Sequence, residues 1–199
     1  MITTIDRLDH FPILKFKLSD DIFSKIKQDA FNSLEKNKDV GVSLVGEIIN
    51  GKEVELFTDD TPLISIGNEY CNWFSADKTS QVSLYLSESW VVLQRAGDYN
   101  PIHMHSSFLS GIIYIQIPDV IKKQKPKTTR TQKDNPDGYI TFFNGREYKQ
   151  LKPEEGYGYI FASNTLHQVY PFRGDEERIS ISWNLELDPN KTTNINFKF

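Results

Sequence analysis

From Ser87 onward the chain alternates short apolar stretches with turn residues and never settles into a helical period. The segments "ESWVVLQRA", "LSGIIYIQI", "GYITFF", "GYGYIFAS", "LHQVYPF" and "RISISWNLEL" are rich in Ile, Val, Tyr, Phe and Trp, and Gly, Pro, Asn and Asp lie between them. No helical crossover separates these strands, so a parallel sheet has nothing to build it. The pattern predicts an antiparallel sandwich or barrel, with a double-stranded β-helix, or jelly roll, as the natural candidate.

The first half reads differently. "LSDDIFSKIKQDAFNSLEKNKDV" puts Ile22, Phe23, Ile26, Ala30 and Leu34 on one helical face, with Ser19 or Asp20 as cap and acidic residues in the first turn. A second helix is predicted from Thr61-Pro62 through "LISIGNEYCNWFSAD", although Gly67 is an unfavourable helix residue. The 199 residues therefore read as one mainly β domain with N-terminal helices, a helical or mixed buttress over 1–86 and a jelly-roll core over 87–199. One segment, "DVIKKQKPKTTRTQKDNPDG", carries six Lys or Arg and reads as a long exposed loop, a connection or a lid.

Composition removes several function classes. A formal net charge of −4 gives no broad positive field, so neither nucleic acid nor anionic lipid is expected as partner. Cys71 is the only cysteine, which excludes an intrachain disulfide and a cysteine-rich zinc site. The N-terminal segment has no basic region followed by a long apolar core, and no apolar run is long enough to span a membrane. A cytoplasmic protein is expected, and the apolar face of its helices would allow a homodimer.

Only four histidines occur, and two of them form His103-Met104-His105. On a strand, residues i and i+2 face the same way, so His103 and His105 can grip one ion together. A third ligand must come from elsewhere. His167 opens the later strand "LHQVYPF", whereas His10 lies in the N-terminal segment and is left out. A bare His-x-His is a weak motif, and a lone strand histidine is usually just hydrogen-bonded. Arg178 adds to the case. It starts "RISISWN", in which Arg178, Ser180, Ser182 and Asn184 share one face and Ile179, Ile181 and Trp183 the other. If "PFRGDEE" is a hairpin turn, Arg178 falls on the strand next to His167. Facing inward, a guanidinium needs an anionic partner such as a carboxylate. Facing outward, it would simply pair with Glu176 or Glu177.

With those residues in view, the chain resembles the 2-oxoglutarate- and Fe(II)-dependent oxygenases. It is closest in pattern to a group with an N-P-x-H-x-H … L-S-G-x-x-Y signature, matched by Asn100-Pro101-Ile102-His103-Met104-His105 and Leu109-Ser110-Gly111-Ile112-Ile113-Tyr114. Gly158 through His167 and "RISISWN" match its last strands, so the resemblance covers about half the chain. It implies iron held by His103, His105 and His167, and 2-oxoglutarate bound through Arg178 with Ser180 as a second donor. Tyr114, on the strand after the metal motif, and Asn100, beside the turn at Pro101, are further cosubstrate-site candidates. Tyr99, Tyr139 and Tyr157 could line the pocket or simply pack. The implied chemistry is oxidative decarboxylation of 2-oxoglutarate with O₂ and hydroxylation of a C–H bond. One departure stands out: the usual carboxylate two residues after the first histidine is His105 here, and Asp98 is the nearest upstream acid, a candidate supporting group or ligand. The alternatives are a cupin-like three-histidine dioxygenase and a non-catalytic jelly-roll binding protein. Peptides, amino acids and small metabolites all remain open as substrates.

Overall fold

The computed structural model describes residues 2–8, 10–74, 82–124 and 136–192. Two antiparallel sheets face each other. The larger contains β1 (Ile2–Arg7), β2 (Ile13–Leu18), β3 (Lys52–Glu55), β4 (Leu84–Gln94), β6 (Leu109–Gln116), β9 (Tyr157–Ala162) and β11 (Arg178–Leu187), in the order β1-β2-β9-β6-β11-β4-β3. The smaller is β5 (Asn100–His103), β10 (His167–Val169), β7 (Ile140–Asn144) and β8 (Glu147–Leu151), in the order β5-β10-β7-β8. Helices α1 (Asp20–Lys36) and α2 (Thr61–Phe74) cover the outer face of the large sheet, and a single turn, α3 (Asp119–Lys122), follows β6. This is the jelly roll that the strand pattern predicts, with its helices on one side.

The large sheet is buried on both faces, and that explains its sequence. Ile113, Ile115, Ile179, Ile181, Trp183 and Leu185 pack outward against Ile26, Ala30, Leu63, Ile66 and Tyr70 of the two helices. Ile112, Tyr114, Tyr159 and Phe161 pack inward against Ile140, Phe142 and Val169 of the small sheet. Strand β6 therefore reads as a continuous apolar run rather than an alternating one. Gly67, the awkward residue of α2, is there for close approach: a Cβ would lie 2.4 Å from Leu185 Cδ1 and 2.7 Å from Leu84 Cδ1. Gly111 likewise makes room for the Trp183 indole, 2.1 Å from where a Cβ would sit.

Two features differ from the sequence reading. The N-terminal half is not only a helical buttress, since β1 and β2 extend the large sheet beyond β9 and β3 extends it beyond β4. The alternation in "ILKFKL" carried that signal for β2. The segment between His167 and Arg178 is not a hairpin turn. Strand β10 pairs with β5 and β7, while β11 pairs with β4 and β6. The chain crosses from one sheet to the other, as a jelly roll requires. Residues 125–135, the centre of the basic loop, lie outside the described residues; at its start Lys122 pairs with Glu155 at 2.7 Å.

Candidate metal centre

Strands β5 and β10 lie side by side, and their register puts His103 opposite His167. His105 sits two residues beyond the end of β5 rather than on it, and its N–H donates to the Ser163 carbonyl at 2.8 Å, which ties it to the turn before β10. One donor atom from each of the three imidazoles lies within 4.8 Å of the others. The ring centroids are 4.2 Å apart for His103–His167, 5.0 Å for His103–His105 and 5.3 Å for His105–His167. Topology brings together two residues 64 positions apart in the chain. Phe161 and Phe142 flank His167 with centroids at 4.8 and 5.9 Å, and Trp90 lies 6.1 Å from His105.

Two local hydrogen bonds set the tautomers. His103 Nδ1 lies 2.7 Å from the Pro101 carbonyl and His167 Nδ1 lies 2.9 Å from the Thr165 carbonyl. A carbonyl only accepts, so Nδ1 of each ring carries the proton and Nε2 is left with its lone pair. Burial also holds all three rings neutral. It pulls His105 down to about 4 and His167 down to about 3, and it lowers His103 as well. Neutral, oriented imidazoles are the form that binds a divalent transition metal.

Arg178 faces inward and is 1% exposed. It is not paired with its acidic neighbours: Glu177 meets Arg95 at 2.7 Å, and Glu176 accepts the backbone N–H groups of Asp119 and Val120. Its Nη1 donates to Gln94 Oε1, and Gln94 Nε2 in turn donates to Asn100 Oδ1 at 3.2 Å. The guanidinium carbon lies 5.2 Å from the centre of the Tyr114 ring, while Nε and Nη2 have no hydrogen-bond partner. A buried cation with two free donors is costly without an anion, so this end of the site is built for one. Burial lowers the pKa of the guanidinium, which still stays protonated as arginine does in proteins, and it pushes the Tyr114 hydroxyl up to about 12, which keeps that group neutral.

The three histidines, Arg178, Ser180 and Asn100 line one cavity of about 630 Å³ between the sheets. Tyr114 lies beneath Arg178, fully buried. Of the other tyrosines, Tyr157 packs under Lys15 and Tyr99 is 39% exposed; neither they nor Tyr139 line this cavity. Asp98 is not part of the histidine cluster. It accepts the N–H groups of Ile49, Asn50 and Arg95 at 3.0, 2.9 and 2.9 Å, and so pins the segment before β3 to the turn before β5. Asp98→Ala strands these donors and is expected to cost about 2–4 kcal/mol of unfolding free energy. Chemical denaturation checks this, and a loss under about 1 kcal/mol would contradict it. Sequence reading missed Gln94, Trp90, Glu88 and Glu53. The first three share the inward face of β4 at i, i+2 spacing, a signal legible in "ESWVVLQ". Glu53 is 1% exposed, and burial, then Asp39 and Asp98, push its carboxyl up to about 7.

Metal-type imidazoles, an anion-seeking arginine and a jelly roll define the non-haem metal oxygenase class. Residues 88–184, about half the chain, match the family described as "Putative 2OG-Fe(II) oxygenase". No curated protein matches the chain. Among solved structures, the chain is similar to a prolyl hydroxylase from Trichoplax adhaerens in complex with a hypoxia inducible factor peptide. The TM-score is 0.61 at 13% identity, over 90% of this chain and 86% of that one. A collagen prolyl hydroxylase of Paramecium Bursaria Chlorella virus-1, in its 2-oxoglutarate complex, superposes with a TM-score of 0.58 at 14% identity, over 89% and 97%. A Pseudomonas putida prolyl-4-hydroxylase gives 0.58 at 13%, over 88% and 93%. At these identities the structures establish the fold; the family match adds the chemistry. The matched segment, from β4 to β11, is that of a 2-oxoglutarate- and Fe(II)-dependent oxygenase, and the chain takes Fe(II) and 2-oxoglutarate as that family does. No helix among the described residues is long and apolar enough to cross a membrane.

Proposed function

We propose that His103, His105 and His167 hold the iron and that Arg178 holds the distal carboxylate of 2-oxoglutarate, in a hydroxylase acting on a C–H bond of a peptide or small molecule. The observation that carries this reading is the pairing of one converging imidazole trio with one buried, half-satisfied guanidinium in a single cavity. Fe(II), when bound, supplies the electrons that activate O₂. The remaining work belongs to the chain. Nδ1–H bonds to Pro101 and Thr165 aim two lone pairs at one point. Nε and Nη2 of Arg178 take the carboxylate in a fork, and the Gln94–Asn100 chain fixes the fork's orientation. Ser180 adds a hydroxyl beside it, and the neutral Tyr114 hydroxyl is a candidate further donor. Phe161, Phe142 and Trp90 keep water from the imidazoles.

The stoichiometry is R–H, 2-oxoglutarate and O₂ to R–OH, succinate and CO₂. Three neutral ligands leave the ion's double charge for the dianion to offset, where the usual carboxylate would add a further negative charge. A three-histidine cupin-type dioxygenase shares the ligand set but needs no 2-oxoglutarate, so dependence on that cosubstrate separates the two readings. The lone, buried Cys71 suits a reducing compartment, and we place the protein in the cytoplasm. Incubation with 2-oxoglutarate and O₂ should yield succinate at a slow, Fe(II)-dependent rate even without the prime substrate. Succinate formation that ignores Fe(II), or its complete absence from iron-loaded protein, would contradict the assignment.

A further inference from the structure

The cavity is charged unequally along its length. Strand β11 pairs with β4 so that Arg178 meets Gln94, Ser182 meets Trp90 and Asn184 meets Glu88. Six residues of strand, about 20 Å, separate the Arg178 level from the Glu88 level. The imidazoles lie between them, since His105 is beside Trp90. Past that level the lining carries Glu88 and Glu186, and Glu53 stands on the flank; among the described residues no lysine lines the cavity, and Arg178 is its one arginine.

Glu88 is held in place by a one-way chain of hydrogen bonds. Ser110 Oγ donates its only proton to Asn184 Oδ1 at 2.8 Å, so Ser163 Oγ must donate to Ser110 Oγ at 2.7 Å. Asn184 Nδ2 then donates to Glu88 Oε2 at 3.0 Å. Every donor points toward Glu88, and a carboxylate is the acceptor-only group that such a chain favours. Its other oxygen accepts no hydrogen bond from the described residues. Trp90, 8% exposed, adds an aromatic wall next to it. A separate observation adds an unsatisfied group to the same cavity. Glu53, opposite Val92 and so between the Trp90 and Arg178 levels, lines it at 1% exposure, and its Oε2 has no hydrogen-bond partner.

We infer that the substrate carries a cationic group, an ammonium or guanidinium, which Glu88 receives beside Trp90 at the end of the chamber opposite Arg178. This rests on the proposed placing of iron and 2-oxoglutarate. Once the ion and the dianion offset each other, Glu88 and Glu186, with the partly ionised Glu53, exceed the one guanidinium of the described lining, and a cation is the complementary guest. A neutral or acidic substrate would meet unpaired like or uncompensated charge there.

The probes are n-hexylamine, charged at neutral pH, and 1-hexanol, its neutral counterpart of similar shape. Calorimetry under nitrogen reads their affinities for protein loaded with Fe(II) and 2-oxoglutarate, and again for protein without either. Glu88 is itself exposed, so its free oxygen is open to a guest, and the wild type should prefer the amine by about tenfold, the selectivity expected where the carboxylate is held by Asn184 and walled by Trp90. Glu88→Gln, which keeps the shape and a hydrogen-bond acceptor, should reduce that preference to twofold or less while its thermal unfolding stays that of a folded protein. Equal affinities in the wild type, or a tenfold preference that survives in a Glu88→Gln/Glu53→Gln double variant, would overturn the inference. The metal-free arm separates the two claims: if iron and 2-oxoglutarate fail to bind, the amine preference still decides the role of Glu88.

Discussion

His167→Ala should reduce Fe(II) affinity by more than about 100-fold, beyond the 10–100-fold typical of residues that only orient a ligand. In the proposed site His167 is the ligand that unites the other two. It faces His103 across the β5–β10 register, it is 5% exposed, and its Nδ1 is already committed to Thr165. Without it, His103 and His105 remain as two neighbours on one stretch of chain, too few to fix a divalent ion. The fold should survive. Alanine loses packing against Phe142 and Phe161, worth about 2–3 kcal/mol, within the total of about 5–15 kcal/mol that holds a domain together. Equilibrium dialysis against Fe(II), alongside a thermal unfolding curve, reads both effects. A folded variant that binds iron as the wild type does would remove His167 from the site.

The second large effect belongs to Arg178. Arg178→Met keeps an extended side chain in the same space and removes the charge and the free donors. Loss of one partner of a buried, hydrogen-bonded charge pair costs about 3 kcal/mol or more, on the order of 100-fold in 2-oxoglutarate affinity. Iron binding should change little, because the guanidinium contacts Gln94 and Tyr114 rather than the imidazoles. The ligand-free protein should be no less stable than the wild type, because an unpaired buried charge has gone. Calorimetric titration with 2-oxoglutarate in the presence of Fe(II) checks the split. Equal loss of both ligands would mean that Arg178 shapes the site rather than binding the dianion.

The readable part of the site was the part carried by local spacing. His103-x-His105 and the alternation Arg178, Ser180, Ser182, Asn184 stand in the sequence, and the structure puts all of them at the cavity. The third histidine of the cluster was legible because few histidines compete for the role. Gln94 and Glu88 were harder: their importance comes from pairing with Arg178 and Asn184 across β11, and a register between strands some 84 and 96 residues apart leaves no mark on either strand alone. Asp98 was misplaced for a related reason. Proximity in sequence to the metal motif suggested a supporting role, whereas its oxygens serve the backbone of residues 49, 50 and 95. The fold followed the same division. Six strands announced themselves by composition, but β3, four residues long and at the sheet edge, has too short a pattern to separate from a loop. The presumed hairpin before Arg178 failed because turn residues do not say whether a chain returns to its own sheet or crosses to the facing one.

The most direct measurement is an anaerobic titration of the wild-type protein with Fe(II) and then 2-oxoglutarate, followed by visible absorption. The account predicts that each protein molecule takes one iron, and that 2-oxoglutarate then produces a charge-transfer band that saturates at one equivalent. Iron that binds without any response to 2-oxoglutarate, or no tight iron site at all, would contradict it.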